Sequence, residues 1–249
     1  MNADTSVAVL SLFLIFCRVG SCLMLLPGYS SLRMPVQIRL LVAVAASLVI
    51  SPALLPGMQG LVQSSGDDMR LQLVVTEMLN GALIGLLGRV FMLALQFAGT
   101  FVANAIGMGN AFGVAMEDQE PAIASLITLT ATVMIFTLNL HAEILRALVA
   151  SYGPMPVAGG FVSRAGLVSL TDKLDETFML CLRIASPFVV YGVIVNFAVG
   201  LMNKMTPQIP IYFISLPFVI AGGMVLLGWA IGDFLRIFVA SFQTWVFNG

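Results

Sequence analysis

The chain has 249 residues, of which 59% are hydrophobic and only 9% are charged, and its formal net charge is −1 at pH 7. Soluble domains carry about 25% charged residues, so lipid or apolar protein must surround most of this chain. A net charge so close to zero, together with the lack of any Lys/Arg run, excludes an electrostatic surface for nucleic acid.

Six apolar segments predict membrane-spanning helices at about 6–27, 36–56, 71–104, 122–150, 178–202 and 209–240. The first two have the length of about 20 residues that one span needs. The third and sixth reach about 32 residues, or roughly 48 Å as helix, which exceeds a hydrocarbon core of about 30 Å. These two must tilt, kink or extend beyond the bilayer. No strand alternation is sustained, so we predict a single all-α membrane domain over residues 1–249.

The first segment is predicted to be a retained helix, because Asn2 and Asp4 precede it and no Lys or Arg forms the basic region of a signal peptide. Cys17, Cys22 and Cys181 lie in apolar runs without metal-ligand spacing. We interpret them as small buried hydrophobic residues and not as a disulfide framework.

Prolines and glycines mark the connections between the segments. Pro52, Pro56 and Gly57 are predicted to open the second connection. The fourth connection, 151–177, ends in the polar stretch TDKLDE, and Thr171 is predicted to cap the helix that follows.

Nine ionisable side chains lie inside the apolar runs. Each charge at a bilayer centre costs about 2.5–3.5 kcal/mol, so nine facing lipid at mid-depth would cost on the order of 25 kcal/mol. Most of them must therefore face protein, water or the membrane interface. The nine are Arg18, Glu77, Arg89, His141, Glu143, Arg146, Arg183, Asp233 and Arg236.

Two pairs of these charges are three residues apart, which places both partners on one helical face. They are Glu143 with Arg146 and Asp233 with Arg236, and both are predicted to be buried charge pairs. Mutual neutralisation is one interpretation, and a proton relay as in transporters is another. Scattered acids matched by arginine, which cannot release a proton, favour neutralisation.

Small residues recur at the spacing that lets membrane helices approach closely. This pattern predicts helix-packing faces, and it favours dense assembly over a wide pore within one chain. The positions are Gly81 with Gly85, Gly99 with Ala103 and Gly107, and Gly228 with Gly232.

Residues for catalysis or for a cofactor are not evident in the sequence. His141 is the only histidine, so the chain lacks a set of imidazole ligands for a metal, and a structural hydrogen bond is its expected role. No serine lies in a nucleophile elbow, and no cysteine has a base partner. We predict no enzyme activity, no metal and no cofactor.

The loop after the third segment, 104–121, reads NAIGMGNAFGVAMEDQEP. Its glycines, Gly107, Gly109 and Gly113, have the spacing GxGxxxG and follow a helix, which excludes the dinucleotide-binding turn. Backbone amides freed by glycine cannot face lipid. Two readings stay open at this point: a constriction that closes a pore, and a re-entrant loop that only packs against its neighbours. The apolar side chains on this loop are Met108, Phe112, Val114 and Met116.

Four stretches carry a resemblance to a known family. They are PGYSSLRMPVQIRLLVA at 27–43, NAIGMGNAFG at 104–113, LNLHAEILRAL at 138–148 and GLMNKMTPQIPIYFISLPF at 200–218. Together they resemble the FliR family of the flagellar type III export apparatus and its injectisome homologues. The resemblance covers nearly the whole chain in the same order, and the last stretch is the most specific.

The resemblance implies long kinked helices and helical hairpins packed in a helical export-gate assembly in the bacterial inner membrane, at the flagellar basal body. The family joins FliP and FliQ in a channel for unfolded flagellar subunits, next to FlhB and FlhA. Residues of about 1–177 would be the FliP-like part, and about 178–240 would be a FliQ-like hairpin. Energy would come from other components.

The resemblance also assigns the glycine-rich loop to a pore plug, which carries over onto Met108, Phe112, Val114 and Met116. One departure is that the family loop often continues into an Asp-Pro step, whereas this chain has Glu120-Pro121. An injectisome gate protein would share these signatures. A small secondary transporter is a third reading, and it predicts inverted repeats, which the sequence does not show.

Overall fold

The computed structural model describes residues 3–29, 35–109, 121–161 and 163–248. Seven α-helices account for most of this part of the chain, and it contains no strand. They are α1 Ala3–Leu25, α2 Val36–Ser64, α3 Asp67–Ala105, α4 Ala122–Thr137, α5 Leu140–Ala150, α6 Ser163–Met205 and α7 Ile211–Asn248, with a short 3-10 turn at Val157–Gly159.

Five of these helices, namely α1, α2, α3, α6 and α7, are long and apolar enough to cross a membrane. The pair α4 and α5 would make a sixth if it is counted as one broken span. The prediction of an all-α membrane protein is therefore confirmed. The predicted segment 122–150 is interrupted, because Asn139 adopts the left-handed conformation with φ 56° and ends α4. Asparagine tolerates this conformation better than other side chains do.

The prediction that Pro52, Pro56 and Gly57 open a connection is wrong, because α2 continues through them to Ser64. Proline at 52 cannot donate to the carbonyl of Leu48, but the hydroxyl of Ser51 donates to that oxygen at 2.8 Å. A serine placed before proline thus replaces the missing backbone donor, as neighbouring hydroxyls do in membrane helices.

The same arrangement recurs in α6. Pro187 lies inside that helix, and the hydroxyl of Ser186 donates to the carbonyl of Arg183 at 2.9 Å. This is the oxygen that the backbone amide of residue 187 would have reached. Two of the proline sites are therefore accommodated by the residue that precedes them in sequence.

Thr171 does not cap a helix, which corrects a second prediction. The helix α6 begins at Ser163, so Thr171 lies within it and its hydroxyl donates to the carbonyl of Leu167 at 2.9 Å. The polar stretch TDKLDE is helical because it contains no proline or glycine, and its Lys, Leu and Glu residues favour helix.

The chain forms two compact units. The first contains residues 1–90, 135–174 and 244–249, and the second contains 91–134 and 175–243. In the first unit α1 packs against α2. In the second, the rings of Phe91 and Phe242 meet edge to face with centroids 5.9 Å apart, and both side chains are fully buried. The helices α3, α6 and α7 each contribute residues to both units.

Candidate functional site

The end of α3 and the start of the glycine-rich loop form a helix-ending motif in the second unit. Gly107 has φ +80°, a conformation that favours glycine because it has no Cβ. Its amide donates to the carbonyl of Asn104 at 3.1 Å, and the amide of Met108 donates to the carbonyl of Ala103 at 2.9 Å. These two bonds define a Schellman motif, with Gly107 as the residue that stops the helix.

Gly109 also has a local structural reason. Its amide donates to the carbonyl of Ala103 at 3.1 Å, and a Cβ at this position would overlap the side chain of Asn104. A side chain at position 109 would therefore require the Asn104 side chain to move. Of the predicted plug residues, Met108 is half-buried at this exit. The others, Phe112, Gly113, Val114 and Met116, lie outside the described residues.

The loop exit packs against α7 within the same unit. A Cβ on Gly107 would come within 3.4 Å of the side chain of Leu216, and Gly223 of α7 lies directly against Ile106. A groove of about 520 Å³ with apolar walls runs between α6 and α7, and Tyr191 and Phe218 are among its lining residues. The Tyr191 hydroxyl joins the two helices by donating to the carbonyl of Val219 at 2.6 Å.

A buried ion pair dominates the polar interior of the first unit. Arg18 of α1 donates from Nε to Oε2 of Glu77 on α3 at 2.6 Å, and from Nη2 to Oε1 at 2.7 Å. Both side chains have an exposed fraction of 0%. The parallel two-bond geometry is the strongest arrangement that an arginine and a carboxylate form. The pair neutralises two of the nine internal ionisable residues.

Arg18 also bonds to the segment that follows α5. Its Nη1 donates to Oγ of Ser151 at 3.2 Å, and its Nη2 donates to the carbonyl of Met155 at 2.8 Å. The guanidinium carbon lies 3.8 Å from the ring centroid of Tyr152, which is a cation–π distance. Arg18, which belongs to α1, thus connects this helix to α3 and to the turn after α5.

Tyr152 is the least satisfied member of this cluster. Burial raises the pKa of its phenol well above the ordinary value, and the carboxylate of Glu77 raises it further. The hydroxyl is therefore protonated at neutral pH. Its oxygen is buried and has no hydrogen-bond partner among the residues that the structure describes.

The two predicted charge pairs form, but neither is buried within the chain. Arg146 and Glu143 make an ion pair on α5, and the Arg146 side chain is 75% exposed. Asp233 and Arg236 on α7 are 3.8 Å apart, with exposed fractions of 73% and 84%. The helical spacing brings partners together, whereas burial depends on what packs against that face. Their burial against other chains stays a prediction.

The small-residue faces also divide into two kinds. Gly81 and Gly85 of α3 lie against the backbone of α1, where a Cβ would collide with the carbonyl oxygens of Arg18 and Cys22. By contrast, nothing in the described chain lies within 4 Å of a Cβ built on Gly228 or Gly232 of α7. Identical spacing thus marks an internal contact in α3 and an open face in α7.

Large apolar side chains are exposed on several helices. In the most apolar stretch of α7 only 11% of the residues are buried, and in that of α2 only 17%. Phe218 and Trp229 have exposed fractions of 76% and 78%. Exposure of this extent needs lipid or another protein as a cover.

The remaining reactive groups do not assemble into a centre. Among the described residues no group of three His, Cys, Asp or Glu side chains could hold a metal ion. Cys17, Cys22 and Cys181 are free and buried, as predicted. The ring of His141 packs on Phe136 with centroids 5.4 Å apart, and its Nδ1 has no hydrogen-bond partner in the described part of the chain. The hydrogen bond expected for His141 is therefore not made through Nδ1.

Sequence reasoning missed the Arg18–Glu77 pair because the two residues are 59 positions apart. A signal was present: Arg18 is the only charge inside the first apolar segment, and Glu77 is the only acid inside the third. Opposite charges on separate apolar helices can be expected to meet, since neither can face lipid at low cost.

Sequence similarity to known proteins extends over most of this chain. The model of a protein family described as bacterial export proteins, family 1, matches residues 9–245. The flagellar biosynthetic protein FliR of Caulobacter vibrioides is 25% identical over 246 residues, which cover 98% of the chain and 97% of that protein. FliR of Escherichia coli is 26% identical over 212 residues, or 84% of the chain and 80% of that protein. The Yop proteins translocation protein T of Yersinia pestis is 24% identical over 214 residues, or 84% and 81%.

Proposed function

The chain belongs to the bacterial export proteins, family 1, and from this premise we propose that it is a structural component of a type III protein-export gate in the bacterial inner membrane. Export of flagellar subunits at the flagellar basal body is the form of this function that we favour. The chain is a structural membrane protein and not an enzyme, in keeping with its family.

The observation that carries the proposal is that sequence similarity to these proteins extends over nearly the whole chain. The family model and the Caulobacter protein, whose name is flagellar biosynthetic protein FliR, both match the chain from near its first residue to near its last. No large part of the chain is left over for a different activity. The five membrane-length helices support a location in the membrane.

Within the gate, we propose that the chain forms a channel with FliP and FliQ, next to FlhB and FlhA. The support is what the chain leaves uncovered. The open face at Gly228 and Gly232 and the exposed pair of Asp233 and Arg236 share α7 with exposed apolar side chains. Charged and apolar groups on one helix suit a protein cover better than a lipid cover, because lipid tails cannot pair with the charges.

The proposal also assigns different roles to different parts of the chain. Residues of about 1–177 would be the FliP-like part and about 178–240 the FliQ-like hairpin. The loop at 104–121 would plug the channel with Met108, Phe112, Val114 and Met116. The Schellman motif supports this assignment, since α3 ends at Gly107 with hydrogen-bonded carbonyls and the loop starts from an ordered helix end.

The test is to purify the chain with co-expressed FliP and FliQ and to ask whether one stable particle forms. We expect a single complex, and we expect Arg146→Leu to reduce its yield, because Glu143 would lose its partner at a protein contact. Leu126→Val, an exposed apolar change on α4, serves as the control. Recovery of the chain alone, without FliP or FliQ, would contradict the proposed channel.

A second function is favoured by one specific observation. The Yersinia pestis protein, whose name states Yop protein translocation, covers 84% of the chain at an identity close to that of the flagellar proteins. An injectisome gate that exports effectors is therefore the alternative. Deleting the gene separates the two: loss of hook and filament proteins from the medium indicates the flagellar system, and loss of other secreted proteins indicates the injectisome.

A further inference from the structure

The Arg18 cluster holds the end of α5 in a way that depends on the sign of the charge. Ser151 follows the last residue of α5, and its amide donates to the carbonyl of Ala147 at 2.8 Å. Its hydroxyl donates to the carbonyl of Leu148 at 2.6 Å and accepts from Arg18. Arg18 therefore reaches the carboxyl end of α5 through the Ser151 hydroxyl, which is itself bound to the carbonyl of Leu148.

Glu77 lies on the other side of the guanidinium. The arginine thus stands between the carboxylate of Glu77 on α3 and two oxygens that follow α5, those of the Ser151 hydroxyl and the Met155 carbonyl. All of these partners are hydrogen-bond acceptors, and arginine has only donors. A carboxylate in place of Arg18 would face the same oxygens with no proton to offer.

The fully buried face of α5 is narrow. Its buried side chains are Leu140, Ile144 and Leu148, which form one stripe along 11 residues, while the side chain of Arg146 is 75% exposed and that of Glu143 is 25% exposed. Three fully buried aliphatic side chains are a narrow docking surface for a helix. The hydrogen bonds of Arg18 to Ser151 and Met155 add a polar contact at its carboxyl end.

We propose that Arg18 and Glu77 form a directional latch, which docks the carboxyl end of α5 and the turn 151–155 onto α1 and α3. The latch requires the cation on α1 and the carboxylate on α3, and an ion pair of reversed order does not close it. This inference concerns the chain itself, and it holds whether or not the chain works in an export gate.

The test uses a reporter thiol at the latch. Leu148→Cys places the thiol on the buried stripe of α5, where Leu148 is 1% exposed, and it retains the Ser151 hydroxyl to which Arg18 donates. The native thiols are buried, with exposed fractions of 7%, 0% and 6% for Cys17, Cys22 and Cys181, so they contribute little background. The full-length chain carrying this reporter is purified in detergent, and the rate of its modification by N-ethylmaleimide is measured by mass spectrometry.

Three double variants are compared in the reporter background. Arg18→Met with Glu77→Met removes both charges and leaves neither unpaired, and we expect modification to become at least about tenfold faster. Arg18→Glu with Glu77→Arg keeps an ion pair in reversed order, and we expect a similar acceleration. Glu143→Met with Arg146→Met removes the exposed pair from the same helix, and the rate should not change.

Each outcome decides the proposal. A slow rate in the double methionine variant would mean that apolar packing alone holds α5, and the latch would be rejected. A slow rate in the variant Arg18→Glu with Glu77→Arg would show that the order of the two charges does not matter, and it would reject a directional latch. If the reversed pair cannot be recovered as a monodisperse protein while the double methionine variant can, the order of charges matters, as proposed. Acceleration in the exposed-pair control would show that any change on α5 loosens it, which also overturns the latch.

Discussion

Individual side chains show how an apolar chain accommodates charge. Arg18 and Glu77 are buried at 0% exposure because each fulfils the hydrogen-bonding needs of the other, with Ser151 and Met155 completing the set. Removing one partner of such a pair is far more damaging than removing both, since a lone buried charge has no compensation. Tyr152 is the exception in the cluster. Its ring contacts the guanidinium of Arg18, but its hydroxyl has no hydrogen-bond partner among the described residues.

Tyr152→Phe is predicted to leave stability unchanged or to raise the free energy of unfolding by up to about 1 kcal/mol, because it deletes a buried donor without a partner and keeps the ring on Arg18. Tyr152→Ala removes the ring and is predicted to lower the thermal midpoint in detergent. Exposed Tyr212→Phe is the matched control. A clear loss of stability in Tyr152→Phe would show that the hydroxyl has a partner.

The same phenol gives a pH dependence of stability. Its pKa is raised in the folded chain, so the unfolded chain releases the proton first as pH rises. Stability from this group is therefore present below the ordinary tyrosine pKa of about 10 and is lost above it. Tyr152→Phe should remove that part of the alkaline loss.

At the scale of the helix, serine before proline allows long helices to continue. Ser51 and Ser186 donate to the carbonyls that Pro52 and Pro187 leave without a backbone donor. In an apolar surrounding water cannot replace that donor, so the hydroxyl has a larger effect than it would have in a soluble helix. This explains why α2 extends beyond the point where the prolines predicted its end.

Ser51→Ala is predicted to destabilise the chain by about 1 kcal/mol, because the carbonyl of Leu48 loses its hydroxyl donor. In a Pro52→Ala background the backbone amide returns, so the same Ser51→Ala change should cost little. A double-mutant cycle of thermal midpoints in detergent measures this coupling. Ser64→Ala, at the exposed end of α2, is the control. Equal losses with and without Pro52 would contradict the proposed compensation.

For the whole molecule, the distribution of exposed surface is the main clue to how the chain works. Its first unit encloses an ion pair and a close contact between α1 and α3. Its second unit ends α3 at Gly107 and leaves much apolar surface on α7 uncovered. A chain that encloses an ion pair and yet leaves the apolar faces of α2 and α7 uncovered is expected of a subunit in a larger membrane assembly.

Deleting residues 110–116 tests the proposed plug while it retains the Schellman end of α3 at Gly107 and Gly109. The assembled gate is expected to leak ions, because the apolar residues Phe112, Val114 and Met116 no longer close it. Membrane conductance of cells that express the complex is the measurement. Cells with the deletion chain but without FliP and FliQ are the control and should not leak. Unchanged conductance in the complete complex would contradict a plug.

The sequence alone determined the helical class and the membrane-length segments, since hydrophobic composition and run length are local properties. It also paired Glu143 with Arg146 and Asp233 with Arg236, because helical spacing brings such partners together. Family membership was likewise readable from the sequence, in stretches such as 104–113 and 200–218.

Only the tertiary structure decided which of these features are internal. The spacing of Gly81 and Gly85 is the same as that of Gly228 and Gly232, yet α1 covers the first pair and the described chain leaves the second open. Arg18 meets Glu77 across 59 residues because α1 packs on α3, and no local pattern encodes that contact. Helix formation depends on neighbours in sequence, whereas burial and charge pairing between helices depend on which faces meet in space.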